Sequence, residues 1–291
     1  MTEAPRTQAD TAESHALHAH SFNAAATQYA ANRPSYPPAL FDAIEELSGR
    51  TLDGARVVDV GAGTGIATAL LVERGAEVIA VEPGDGMIAQ LRRTLPEVPV
   101  VRADGNALPL VDSSADFITY AQAWHWTDPA RSVPEAMRVL RPGGALALWW
   151  NVDAVDVPWI AVQANRVERF LADDTGTVAP AETGTGVDNT TDDDNSTGNA
   201  RPTAPALSGR GAWNTAPLSP HESTWHRLRW SRRVPLDTHL ANLGSHSRFL
   251  VLGTERTNTF LTEERSHLLT VFPDGIVEET YNVDLQVAIR H

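Results

Sequence analysis

One stretch constrains this chain more than any other: Val57–Gly65, read as Val-Val-Asp-Val-Gly-Ala-Gly-Thr-Gly. Val57, Val58 and Val60 are β-branched and apolar, as in a strand buried on both faces. Gly61, Gly63 and Gly65 interrupt that run, and Ile66–Arg74 resumes with helix formers around apolar Ala67, Leu70 and Leu71. The predicted order is strand, glycine loop, helix. Glycines suit such a loop because the backbone must turn tightly and a ligand must reach main-chain atoms with no Cβ in the way. The N-terminus of the following helix offers N–H groups to an anionic part of that ligand.

The spacing of the loop is G-x-G-x-G, whereas the dinucleotide fingerprint is G-x-G-x-x-G, with its third glycine where Ile66 stands. The next predicted strand, Glu77–Val81, runs into acidic Glu82, 21 positions after Gly61. A doubly wound sheet places a carboxylate there to accept from ribose hydroxyls. A ribose-bearing ligand follows, with a nicotinamide dinucleotide and an adenosyl sulfonium both open on these residues alone.

Composition narrows the classes. At 291 residues and 42% hydrophobic, the chain suits one large α/β domain with additions or two small ones. There is no cysteine, which excludes disulfides, thiolate metal sites and a thiol nucleophile. Every basic residue is arginine, so a P-loop lysine, a Schiff base and a lysine general base are excluded as well. The formal charge of −14 argues against nucleic acid as partner. No apolar run approaches the ~18 residues of a spanning helix. Met1–His20 lacks the apolar segment of a secretory signal. The chain is therefore expected to be soluble and cytoplasmic, without membrane partner, as a monomer or homodimer.

Along the chain, residues 1–20 read as a disordered tail whose His15, His18 and His20 form no metal set. Residues 21–50 read as a lid segment and helix: a short helix over Phe22–Tyr29, an extended path through Pro34, Pro37 and Pro38, and an amphipathic helix over Leu40–Ser48 stopped by Gly49. Residues 51–172 alternate regularly. Strands are predicted over Arg56–Val60, Glu77–Val81, Val98–Arg102, Asp116–Ala121 and Ala145–Trp150. Helices are predicted over Ile66–Arg74, Asp85–Leu95, Ala130–Leu140 and Val157–Leu171, with a tight turn at Arg141–Gly144. Such alternation means a mostly parallel sheet with helices on both faces. Right-handed crossovers leave the glycine loop at the carboxyl edge, where ligands bind. Residues 173–217 read as a disordered acidic insertion, with seven acids and no base over Asp173–Asn199. Residues 218–291 are expected to complete the sheet as an antiparallel edge and to supply acceptor-side elements. They hold a strand at His226–Val234, helices at Leu236–Leu243 and Thr262–Phe272, and a long strand or hairpin at Ile276–Arg290.

Four spaced motifs together resemble class I S-adenosylmethionine-dependent methyltransferases. They are the Gly61/Gly63/Gly65 loop after Asp59, Glu82-Pro83-Gly84-Asp85-Gly86-Met87, Arg102–Pro109, and Ala136–Gly144 before the fifth strand. The flanks, Arg33-Pro34-Ser35-Tyr36-Pro37 and Gln122-Ala123-Trp124-His125-Trp126, resemble the type-11 methyltransferase-domain group and are similar to trans-aconitate methyltransferases. The long acidic insertion departs from that pattern. The implied fold is a doubly wound, Rossmann-like α/β sheet. The implied activity is methyl transfer from S-adenosyl-L-methionine to a small molecule, such as a carboxylic acid. The alternatives are an NAD(P)-dependent oxidoreductase and a non-catalytic S-adenosylmethionine-binding protein.

The resemblance assigns roles. Backbone N–H groups around Gly61, Ala62, Gly63, Thr64 and Gly65 are expected to take the cofactor's carboxylate, and Asp59 beneath them to order the loop or meet the ammonium. Glu82 is assigned to the ribose, with Pro83 and Met87 beside it. Asp104 is assigned to the adenine amino group, with Gly105 and Asn106 alongside. Gln122 and Ala123 flank the methionine part. His125 is the candidate base, between Trp124 and Trp126, which are expected to wall the site or face the sulfonium. Arg33 and Tyr36 lie on the segment that covers the cofactor in similar proteins, with Arg33 suited to a carboxylate. Arg248 is a further candidate anion contact. No metal is expected.

Overall fold

A computed structural model describes residues 32–175 and 223–291. The readings for 1–20 and for Phe22–Tyr29, and all but the first residues of the acidic insertion, lie outside those residues. The described chain runs α1 (Pro38–Ser48), β1 (Arg56–Val60), α2 (Ile66–Glu73), β2 (Glu77–Val81), α3 (Asp85–Thr94), β3 (Val100–Val101), β4 (Ala115–Ala121), α4 (Pro129–Val139), β5 (Leu140–Asp153) and α5 (Pro158–Thr175). It continues with β6 (Ser223–Pro235), α6 (Leu236–Gly244), α7 (Ser247–Leu252), α8 (Thr254–Val271) and β7 (Ile276–Ile289). A 3₁₀ turn at Trp124–Trp126 lies between β4 and α4.

The strands form one sheet in the order β3-β2-β1-β4-β5-β7-β6. β1 pairs in parallel with β2 and β4, and β4 in parallel with β5. β7 inserts antiparallel between β5 and β6. The doubly wound core and the antiparallel C-terminal edge are both as expected. β4 shows why the core strands read as continuous apolar runs. Phe117 packs into a cluster with Leu71, Phe41 and Trp149 on one face, while Ile118 and Tyr120 pack with Leu146, Leu148 and Val139 on the other. Burial on both faces removes any polar alternation.

Local chemistry sets several boundaries. α1 starts at Pro38, earlier than Leu40, because a proline in the first turn sacrifices no intrahelical bond. It ends at Gly49, left-handed at φ 64°. β3 is shorter than Val98–Arg102: Pro99 has no N–H to give, and only Val100 and Val101 pair with β2. The turn expected at Arg141–Gly144 is instead a bulge inside β5, where Asp116 alone lies opposite those residues and pairs with Arg141. α8 begins at Thr254 and not at Thr262. Its polar first half is held by Phe260, whose ring lies 4.8 Å from Phe170 and 5.2 Å from Phe249. Helical backbone of α5 runs to Thr175, past the expected insertion boundary at Asp173.

Among the described residues, Trp149 is the largest fully buried side chain. Its ring meets Tyr36 edge-on at 5.7 Å and Phe41 at 6.1 Å, joining the N-terminal segment and α1 to the sheet. Trp149→Ala is expected to cost about 3–5 kcal/mol, read from urea unfolding. A loss below ~1 kcal/mol would contradict this packing.

Candidate cofactor-binding site

The glycine loop folds as its sequence requires. Gly61, Gly63 and Gly65 have φ of 68°, 58° and 91°, a region that other residues enter only with strain. At Gly61 a Cβ would lie 2.4 Å from Ala123 Cβ, so the loop after β1 touches the loop after β4 with no room for a side chain. Gly65 caps α2, against Leu91 and Leu95 of the α3 region.

The loop's N–H groups are allocated differently from the expectation. Gly61 and Ala62 donate to Val81 O at 2.8 and 3.1 Å, and Gly63 donates to Glu82 Oε2 at 2.9 Å. Gly65 N donates to Ala62 O at 2.9 Å, so four of the groups expected to meet an anion are engaged in holding the loop. The first turn of α2, beside the loop, has N–H groups with no intrahelical acceptor. Thr64 beside it has a buried hydroxyl with no hydrogen-bond partner. A buried polar atom left without a partner points to a ligand or water there.

Asp59 lies fully buried beneath the loop. Its Oδ2 accepts from Thr68 Oγ1 of α2 at 2.7 Å, and its Oδ1 from Thr119 Oγ1 of β4 at 2.9 Å. Burial pushes its carboxyl up to about 6, against the two hydroxyls, which favour the charged form. Neither threonine was singled out from the sequence; the available signal was Thr119, a polar residue inside an otherwise apolar strand.

Glu82 ends β2 with its carboxylate turned towards the loop. Oε2 accepts from Gly63 N and Oε1 from Gly84 N, both at 2.9 Å. It is buried, which raises its pKa above the ordinary carboxylate range; its two backbone bonds oppose that rise and the Asp59 charge adds to it. Met87 is buried on α3, and Pro83 is exposed.

At the corner after β3, exposed Asp104 accepts from Asn106 N at 2.7 Å, and Asn106 Oδ1 accepts from Asp128 N at 2.7 Å. Gly105 is buried where a Cβ would meet Thr127 and Tyr120 at 2.9 Å. After β4, Gln122 adopts φ 59°, unusual for a residue with a side chain, while its N–H donates to Trp149 O at 2.9 Å. Backbone strain of this kind gathers at functional sites. Ala123 is buried against Gly61. Trp124 is a core residue and not an open wall: it is buried, edge-on to Tyr120 at 4.7 Å. His125 is half-buried, its ring 4.6 Å from that of Trp126. The structure thus brings the residues after β1, β2, β3 and β4 to one edge of the sheet.

The N-terminal segment comes to the same end of β5. Tyr36 packs on Trp149, and Ser35 O accepts from Asn151 Nδ2 at 3.3 Å. Arg33 reaches further and donates to Ser245 O at 3.3 Å. Arg248 does not join them. It forms a two-pronged ion pair with Glu168 of α5, at 2.5 and 3.0 Å, and serves the C-terminal helices. Among the described residues, no cluster of histidines and carboxylates could hold a metal ion.

Residues 58–148 match the family described as "Methyltransferase domain". An uncharacterized methyltransferase of Mycobacterium tuberculosis is 46% identical over 140 residues, 48% of this chain and 56% of its own length. A malonyl-[acyl-carrier protein] O-methyltransferase of Methylococcus capsulatus is 42% identical over 99 residues, 32% of this chain and 36% of its own. The solved structure of a proposed type II methyltransferase from Anaeromyxobacter dehalogenans superposes with a TM-score of 0.60 at 25% identity, over 89% of this chain and 98% of that one. The core of this chain is similar to class I methyltransferase domains. The match spans about half the length of the first of these relatives.

The residues present at the glycine loop fit an adenosyl ligand. A buried carboxylate closes β2, a helix N-terminus faces the loop, and Thr64 carries an unpartnered hydroxyl. No described helix is long and apolar enough to cross a membrane.

The buried Asp59 gives a test with a definite sign. Between the ordinary carboxyl range near ~4 and the native value of about 6, the folded protein holds a proton that the unfolded chain has released. Stability of the parent relative to Asp59→Asn should therefore be highest below about pH 4, fall by roughly 3 kcal/mol as pH rises through about 6, and then level off. Urea titrations across that range check this. A difference that grows with pH would contradict it.

Proposed function

We propose that this chain is an S-adenosylmethionine-dependent methyltransferase acting on a small molecule that carries a carboxylate. The observation that carries the reading is the Glu82 carboxylate, fixed by Gly63 and Gly84 N–H groups at the glycine loop of a methyltransferase domain. When bound, S-adenosyl-L-methionine supplies an activated methyl group. Glu82 accepts from its ribose hydroxyls, using lone pairs that the two backbone bonds leave free. Asp104 accepts from the adenine amino group, with Gly105 and Asn106 alongside. The first turn of α2 and Thr64 meet the methionine carboxylate, while Asp59 holds the loop from beneath. Gln122 and Ala123 flank the methionine chain.

Methyl transfer is an in-line displacement, so the protein's task is chiefly alignment, an effect worth up to ~7–11 kcal/mol. A carboxylate oxygen attacks as it is and needs no base. Arg33 suits a carboxylate acceptor, and Tyr36 fixes the segment that carries it. For an acceptor that must lose a proton, His125 is the group in reach of the carboxyl end of β4. A relative named as an O-methyltransferase of a malonyl group supports an oxygen acceptor.

Titration calorimetry with S-adenosylhomocysteine should show binding, weakened roughly tenfold to a hundredfold by Glu82→Ala. Methyl-labelled cofactor should then transfer label to members of a panel of small carboxylic acids. Absence of binding at millimolar ligand would reject the reading.

A further inference from the structure

Buried charge gathers in a second place, away from the glycine loop. Glu279 of β7 is 2% exposed, in a strand whose neighbours Val277 and Val283 are fully buried. Its Oε1 lies 2.7 Å from His239 Nδ1 of α6, and its Oε2 accepts from Arg232 Nε of β6 at 2.5 Å. On the far side of the imidazole, Gln163 Nε2 of α5 lies 2.9 Å from His239 Nε2 and 2.9 Å from Glu264 Oε1 of α8. Glu264 is 1% exposed and takes both prongs of Arg166, at 2.6 and 2.5 Å. An atom that donates to a carboxylate is the amide nitrogen, so His239 Nε2 accepts and Nδ1 carries the proton towards Glu279. Every member of the chain thus has a partner, and two arginines balance two carboxylates.

The outer end of this chain leaves the C-terminal region. Arg232 donates through NH2 to Asn32 O at 3.1 Å and through NH1 to Arg33 O at 3.4 Å. One guanidinium therefore spans Glu279 and two successive carbonyls of the N-terminal segment. Its planar fork permits this; a lysine ammonium, with its donors on one compact nitrogen, lacks that spread. Two residues on, Ser35 O is held by Asn151, whose Oδ1 accepts from Trp230 Nε1 at 3.1 Å. Sequence separation hid this contact: Arg232 lies about 200 positions from the segment it holds.

We propose that Arg232, oriented by Glu279, is a positioning residue that fixes the segment Asn32–Tyr36 and so places Arg33 at the acceptor side of the site. The role given to Arg33 rests on the methyltransferase reading above; the clamp itself rests on the hydrogen bonds alone. Burial by itself would raise the Glu279 carboxyl, but the His239 bond and the Arg232 charge hold it below its ordinary range, so it stays ionised to orient the guanidinium.

The chain has no cysteine, so a spin label on Ser35→Cys, an exposed side chain, reports on the segment alone. In the otherwise unchanged protein the label should be immobilised. Adding Arg232→Gln should shift the balance towards a mobile label by roughly tenfold, the effect of losing charge-assisted bonds. Over the same change, far-UV circular dichroism and the Kd for S-adenosylhomocysteine should hold within about threefold, since Arg232 touches no cofactor residue. Arg232→Lys should recover most of the thermal stability but not the immobile label. A label that stays immobile in Arg232→Gln, or mobility that tracks thermal stability through both variants, would overturn the clamp. A parent protein that shows the clamp but binds no S-adenosylhomocysteine would overturn the methyltransferase reading instead, and with it the role assigned to Arg33.

Discussion

The structure turns on one buried carboxylate. Asp59 sits on β1, accepts from Thr68 on α2 and from Thr119 on β4, and so ties three elements together directly beneath the glycine loop. An unpaired charge in that position would be costly, and two hydroxyls offset part of the cost. With this anchor in place, Gly61 can sit against Ala123, and the loops after β1 and β4 form one continuous floor. Glu82 closes the same floor from β2 by gripping Gly63 N. The cradle is thus held by side chain-to-backbone contacts that do not require a ligand, which is the preorganisation that alignment chemistry needs.

The C-terminal region solves a different problem. β5, β7 and β6 run 14, 14 and 13 residues, well past the five-residue strands of the core. Through Glu279 of β7 they join a buried chain with His239 of α6, Gln163 of α5 and Glu264 of α8, and the N-terminal segment meets them at Trp149, Asn151 and Arg232.

The parts legible in the sequence are those with local causes. Positive φ demands glycine, so the loop showed at Gly61, Gly63 and Gly65. Double-sided burial demands apolar runs, so β1, β2 and β4 showed as strands. The place of Glu82 followed from the length of one βαβ unit. What stayed hidden depends on partners far along the chain. Thr68 and Thr119 look ordinary until Asp59 lies between them. Arg248 resembles an anion ligand until Glu168, 80 positions away, takes it. Gly61 and Ala62 N–H groups look open to a ligand until Val81 O is placed beneath them. α8 begins where aromatic packing, and not local propensity, allows it. Strand bulges such as Arg141–Gly144 also escape a reading by period, because a proline and two glycines there signal a turn as strongly as a bulge.

In the proposed function this cradle holds an adenosyl ligand by Glu82 and the first turn of α2. The most direct measurement is a crystal structure of the protein grown with S-adenosylhomocysteine. The expected result is both ribose hydroxyls within hydrogen-bond distance of Glu82 and the ligand's carboxylate at Thr64 and the start of α2. A ligand bound elsewhere, or one whose ribose leaves Glu82 bonded to Gly63 and Gly84 alone, would contradict it.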